Sequence, residues 1–283
     1  VGDFSGTLGP GPGPGLGAGG VDGFIATLEP VMQNPSYFLA EGTGDASIRR
    51  IMSNPVDGNQ WLVAGDFDGE LSMAGLAGTE TRTAFGQRDL FLASVDEDMD
   101  NPNLALARLG NLGGGAHRML ELARIGPEAV ILADVRGPVT DGATTISAPT
   151  SVTSVLAMTF DPPNDQGMGY AYSSHYLFTG GDAAGHALHA AVPAIAVGAE
   201  ASTDVVIETR GNEQWGLVET PSCERDVLLT VLEPAGVSRS HRCGGSNAAV
   251  TALGADETGT TFFAAIDLPL GETMMTSQGD VVG

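Results

Sequence analysis

The sequence predicts an all-β fold built from four-stranded antiparallel units, and three observations carry that prediction. A line of alternating apolar residues ending in an acid recurs four times. Each copy is followed by a cluster of glycines. No long stretch shows helical periodicity; Ala105 to Ala123 comes closest, and the glycines at 110–115 break it.

The recurring line is Asp22-Gly-Phe-Ile-Ala-Thr-Leu-Glu-Pro30, then Asp89-Leu-Phe-Leu-Ala-Ser-Val-Asp-Glu97, Ser154-Val-Leu-Ala-Met-Thr-Phe-Asp-Pro162 and Asp226-Val-Leu-Leu-Thr-Val-Leu-Glu-Pro234. The copies start at residues 22, 89, 154 and 226, a spacing of roughly 70 residues. Positions three, five and seven are small or apolar and position eight is always acidic. A period of two over seven residues describes a strand with one face in a core, and the acid, usually followed by proline, ends it in a turn.

The glycine clusters are Gly42-Thr-Gly44, Gly113-Gly-Gly115, Gly180-Gly-Asp182 and Gly244-Gly-Ser246. Two more strand candidates follow each. The second of them, completing each unit, reads as Trp61 to Phe67, Val130 to Val135, Val205 to Thr209 and Phe262 to Ile266. Hairpin signals precede it at Val56-Asp-Gly-Asn59 and Asp256-Glu-Thr-Gly259. The units therefore span about 22–88, 89–153, 154–225 and 226–279. Residues 1–8 copy the end of a fourth strand, with Val1-Gly-Asp-Phe set against Val63-Ala-Gly-Asp-Phe67, and residues 280–283 resemble the start of a fifth line. The Gly/Pro stretch 9–20 is a connector with no side chains to bury.

A four-stranded sheet cannot cover both its faces alone, so such units stack on one another. Radial stacking makes a β-propeller, here a single domain of about four to five blades; linear stacking makes an array of small antiparallel units. The Asp-x-Phe-apolar-Ala-x-apolar-acid line, the glycine pair and the Val-Ala-Gly-x-Phe-x-Gly strand resemble the bacterial seven-bladed-propeller repeat family. Members of that family occur in large secreted or surface proteins, so the resemblance implies a propeller fold and export. This chain departs from the family in having four complete units, each longer than usual.

Composition narrows the function. The formal net charge is −23, and all twelve basic residues are arginine. Such acidity repels phosphate backbones and anionic lipid, which argues against nucleic-acid binding. The most apolar region, Ala183 to Ala201, is interrupted by His186, His189, Pro193 and Glu200, so membrane insertion is not expected either. The chain opens on Val1, which fits both a mature chain after leader removal and an excised piece of something longer.

Cys223 and Cys243 flank the fourth copy of the line and the strand after it. With a turn at Glu233-Pro-Ala-Gly236 they stand nearly opposite across one hairpin, and a disulfide there contributes about 3 kcal/mol and favours an extracellular or cell-envelope location. Asp96, Asp98 and Asp100 alternate on an acidic turn that could wrap Ca²⁺, although Leu104 and Ala107 occupy later ligand positions. Trp215, beside Asn212 and Gln214 in a polar loop, could stack on a sugar, whereas Trp61 belongs to a core strand. His186 and His189, three apart, point to opposite faces of a strand and cannot share a metal with His175 or Asp182. No nucleophile motif, HExxH or CxxC is present, and without lysine neither a Walker loop nor a Schiff base can form.

The expected protein is thus a non-catalytic secreted or surface module that engages a protein or glycan, with no cofactor beyond possible Ca²⁺. Its rivals are a calcium- or carbohydrate-dependent adhesin and a hydrolase or lyase working in a propeller funnel. Unpaired strand edges would favour self-association.

Overall fold

In a computed structural model the chain is all-β, arranged as several small antiparallel sheets. The structure describes residues 1–5, 20–26, 37–54, 56, 60–75, 78–96, 115–141, 144–162, 170–202, 205–209, 214–218, 226–233, 236–244, 249–256, 262–267 and 275–276.

A short strand β1 (Gly2–Ser5) precedes the first unit, which holds β2 (Val21–Ala26), β3 (Tyr37–Gly42), β4 (Ala46–Ser53), β5 (Gln60–Phe67), β6 (Glu70–Gly75) and β7 (Gly78–Thr83). The second contributes β8 (Asp89–Asp96), β9 (Ala116–Ile125), β10 (Glu128–Arg136), β11 (Val139–Asp141) and β12 (Thr144–Ile146). The third has β13 (Ser154–Asp161), β14 (Ala171–Thr179), β15 (Ala183–Ala191), β16 (Ala194–Ala201), β17 (Val205–Thr209) and β18 (Gln214–Val218). The fourth comprises β19 (Asp226–Glu233), β20 (Gly236–Gly244), β21 (Ala249–Ala255), β22 (Phe262–Asp267) and β23 (Met275–Thr276).

These strands group into two compact bodies. One comprises Val1–Met119, Pro138–Ser147 and Pro162–Ala171; the other comprises Leu120–Gly137, Ala148–Asp161 and Tyr172–Gly283. In the first body the sheets run β1-β2-β3-β6-β7 and β4-β5-β8, with the hairpin β11-β12. Ile25, Ala40 and Met73 of the one sheet pack on Ile48, Val63, Phe67 and Phe91 of the other. The second body holds β15-β16-β19-β20-β23, the pair β21-β22 and a six-stranded sheet, β18-β17-β14-β13-β10-β9, to which the chain crosses within β9. Val130, Val155, Phe178 and Ile207 of the six-stranded sheet face Leu188, Val197 and Leu228. Burying side chains of this size stabilises each by about 1.5–3 kcal/mol.

The four strands carrying the recurring line share one pairing. Each lies antiparallel to the strand that closes the preceding unit: β2 on β1, β8 on β5, β13 on β10 and β19 on β16. Their first residues, Asp22, Asp89, Ser154 and Asp226, stand opposite Phe4, Phe67, Val135 and Ala201. The glycine-cluster aspartates act alike too. Asp45 Oδ1 accepts the Val21 N–H and Asp182 Oδ1 the Thr153 N–H, both at 2.9 Å, from the residue just before the line. The N–H of Asp68 reaches Asp45 O at 2.8 Å, and that of Ser202 reaches Asp182 O at 3.0 Å.

Two expectations change. The sheets are not four consecutive strands: each of the larger ones joins strands of one unit, or β1, to the first strands of the next, and hairpins such as β6-β7 and β17-β18 extend them. And the strand in the place of Trp61 to Phe67 in the third unit is Ala194–Ala201; Val205–Thr209 pairs instead with β14. The β-branched residues at 205–207 made that segment look the better core strand. The alanine-rich β16 is nevertheless buried along its whole length, because small side chains let sheets approach on both faces.

Candidate functional site

The most heavily used polar position lies one or two residues before the end of the unit-closing strand, where Asp66, Asp134 and Glu200 stand opposite Leu90, Val155 and Val227. Asp66 is fully buried. Its Oδ1 receives Arg88 Nε at 2.5 Å, while its Oδ2 receives Arg49 Nε at 3.3 Å and the Met119 N–H at 2.9 Å. Arg88 Nη1 also reaches Asp68 Oδ2 at 3.5 Å. Asp134 Oδ1 takes the N–H of Gly185 at 2.7 Å, so two of these acids cap a backbone donor on a distant strand. Glu200 Oε1 lies 2.9 Å from His186 Nε2.

The partners Arg49 and His186 share a backbone origin. Each is the extra residue at an irregularity, between Ile48 and Arg50 and between Gly185 and Ala187. A bulge re-aims a side chain along its strand, which here turns Arg49 and His186 toward the acid of the neighbouring strand. Sequence inspection registers the Gly-Asp-Phe end as a motif, but the bulges that supply its partners leave no trace in the pattern.

His117 occupies the place that alanine holds in the third unit. Its N–H meets Arg88 O, as that of Ala183 meets Thr153 O, both at 2.9 Å. The imidazole is buried, and among the described residues neither ring nitrogen makes a well-formed hydrogen bond. Burial lowers its pKa to about 4, against a weaker opposing pull from the backbone at Pro138 and Ala116. The ring is therefore neutral in the folded chain at any pH above this. Between pH 6.5 and 4 the unfolded state binds a proton that the folded state refuses, so stability falls with falling pH. At pH 5 the loss is about 2 kcal/mol relative to pH 7. In chemical melts at the two pH values, His117→Ala is expected to flatten that part of the slope; an unchanged slope would assign it to other groups.

The clearest pairing of chemistry-bearing groups is at the start of β14. Tyr172 Oη and His175 Nδ1 are 2.5 Å apart with ring centroids at 6.0 Å, and next to them Thr159 Oγ1 and Ser174 Oγ are also 2.5 Å apart. A phenol hydrogen-bonded to an imidazole can share a proton. In the other body, Tyr170 donates to Asn54 Oδ1 at 2.7 Å and Asn54 Nδ2 to Gln60 Oε1 at 2.9 Å; burial pushes the phenol up to about 12. Asp89 is fully buried, and its pKa is raised by burial despite the N–H groups of Phe85 and Gly86 that its carboxylate accepts.

The sequence-expected residues fall elsewhere. Asp96 ends β8 opposite Gln60, while Asp98 and Asp100 lie outside the described residues. Cys243 lies in β20 opposite Val227, on the expected hairpin, and Cys223 lies outside the described residues. Trp215 belongs to β18, opposite Ile207, and so sits in a strand and not in a loop; the alternating Gln-Trp-Gly-Leu-Val pairs with β17. His186 and His189 are on one strand but have different neighbours, Glu200 and the edge of Phe262 at 6.4 Å. Among the described residues no three His, Cys, Asp or Glu side chains converge on a metal-sized site. No family model matches the sequence, and no curated protein or solved structure is similar to it.

Proposed function

We propose that the chain is a non-catalytic module of a secreted or cell-surface protein, copied along its length into propeller-type blades, that engages a protein or glycan. The carrying observation is the shared register of the four line-bearing strands. Polar residues that would otherwise suggest chemistry act between strands: Asp66 and Asp134 on backbone N–H groups, Asp45 and Asp182 on the strand starts. A module whose strand acids hold backbone donors leaves its loops to form the binding surface.

The test offers the purified chain ester, glycoside and phosphomonoester reporters together with a thermal melt in Ca²⁺ and a glycan panel. No turnover and binding to a protein or glycan are the expected results. Turnover that His175→Ala removes would replace this reading by an enzyme. A melt raised by Ca²⁺, with the response lost in Asp98→Ala, would replace it by a calcium-dependent adhesin. In negative-stain images blades give a disc, and an extended rod would exchange the propeller for a linear array.

A further inference from the structure

We propose that residues 115–119, which open β9, form an acid-released latch: when His117 takes a proton, this segment lifts from Asp66 and Arg88 while the sheets around it stay folded. Which partner the module binds does not enter.

Few bonds close the latch. Gly115 O accepts the Arg88 N–H at 3.2 Å, the His117 N–H reaches Arg88 O at 2.9 Å, and the Met119 N–H reaches Asp66 Oδ2 at 2.9 Å. Arg88 and Ala116 make an isolated parallel bridge and not a ladder. After Met119 the strand belongs to the other compact body. A segment held by a handful of backbone bonds opens at lower cost than a paired core strand.

The third unit builds the same joint without a titratable group. There the Ala183 N–H reaches Thr153 O at 2.9 Å and the Gly185 N–H reaches Asp134 Oδ1 at 2.7 Å, matching His117 on Arg88 and Met119 on Asp66. Alanine therefore suffices for the bonds. His117 is 2% exposed and adds a ring whose two nitrogens have no hydrogen-bond partner. An unpaired buried polar group weakens its surroundings even when neutral. A residue that costs stability and contributes no bond belongs where the structure has to open.

The charges around the ring are committed elsewhere. Arg88 and Arg49 pair with Asp66, Arg88 also reaches Asp68, and Asp89 accepts the N–H groups of Phe85 and Gly86. Arg118 and Glu121 lie on β9 itself, and Arg136 and Asp141 stand either side of Pro138, whose backbone approaches the imidazole. Among the described residues no carboxylate is hydrogen-bonded to the ring. Burial thus dominates and holds the closed imidazole at about 4, whereas the opened segment binds a proton like an ordinary histidine. Falling pH draws the equilibrium toward the open form.

Hydrogen exchange of the full chain at pH 7 and pH 5, corrected for intrinsic amide rates, tests the latch. Protection at Met119 should fall about 20-fold between the two, whereas Gly185, the matching donor beside alanine, should change by less than about threefold. His117→Ala should bring Met119 level with Gly185, and His117→Leu, which retains more of the buried volume, should do the same. An equal fall at both amides assigns the proton to global unfolding and overturns the proposal. So does a fall at Met119 that persists in whichever variant keeps the parental melt at pH 7.

Discussion

Asp66→Ala is expected to lower the unfolding free energy by about 3 kcal/mol, because it removes a buried carboxylate shared by three donors and leaves the Met119 N–H without an acceptor. The carboxylate is fully buried and serves three donors at once: the guanidinium groups of Arg88 and Arg49 and the N–H of Met119. The two arginines retain partial access to water, at 25% and 36% side-chain exposure, which keeps the cost below that of a sealed ion pair. The Met119 donor has no such relief, and an unsatisfied buried N–H costs about 1–3 kcal/mol by itself. Asp66→Asn keeps an acceptor and loses only the charge, so it should cost about half as much. Denaturant melts of the two variants provide the measurement. Equal losses would mean that the charge contributes nothing, and a loss under about 1 kcal/mol for alanine would mean that the joint is ornamental.

Gly65→Ala comes next, with an expected cost of about 3 kcal/mol or more through overpacking. A Cβ at this position would lie 1.9 Å from Ser47 O and 2.6 Å from the ring of Phe91. The oxygen belongs to the paired strand and cannot retreat without opening the β4-β5 ladder. Phe91 is fully buried against Phe67, with ring centroids 6.3 Å apart, so the ring has no free volume to enter. Gly254→Ala is the internal control. Nothing lies within 4 Å of its added Cβ, so the melt should hold or rise by about 0.5 kcal/mol from the lost freedom of the unfolded chain. If both glycines tolerate alanine equally, the close approach at Gly65 is not the cause.

Much of the architecture could be read along the chain. Alternation in the Asp22, Asp89, Ser154 and Asp226 lines places four strands where β2, β8, β13 and β19 lie, since a period of two needs only the local backbone to be expressed. The hairpin signals at Val56 to Asn59 and Asp256 to Gly259 fall in sequence between β4 and β5 and between β21 and β22 for the same local reason. The candidate sites were less legible. His117 reads as one histidine among five, and only the close packing around it pulls its pKa to about 4. Trp215 looks like a loop residue because Asn212, Glu213 and Gln214 precede it, yet pairing with β17 draws it into a strand.

By itself the sequence determined that this chain is all-β, that the apolar residues of its recurring line alternate, and that this acid-terminated line is written four times. These are properties of neighbouring residues. Tertiary structure alone decided which strands share a sheet, that alanine-rich β16 closes the third unit, and that Asp66 meets Arg49, Arg88 and Met119. Those outcomes turn on bulges and on strand partners tens of residues away. The free energy of such contacts exists only once both partners are in place, and no local pattern encodes it.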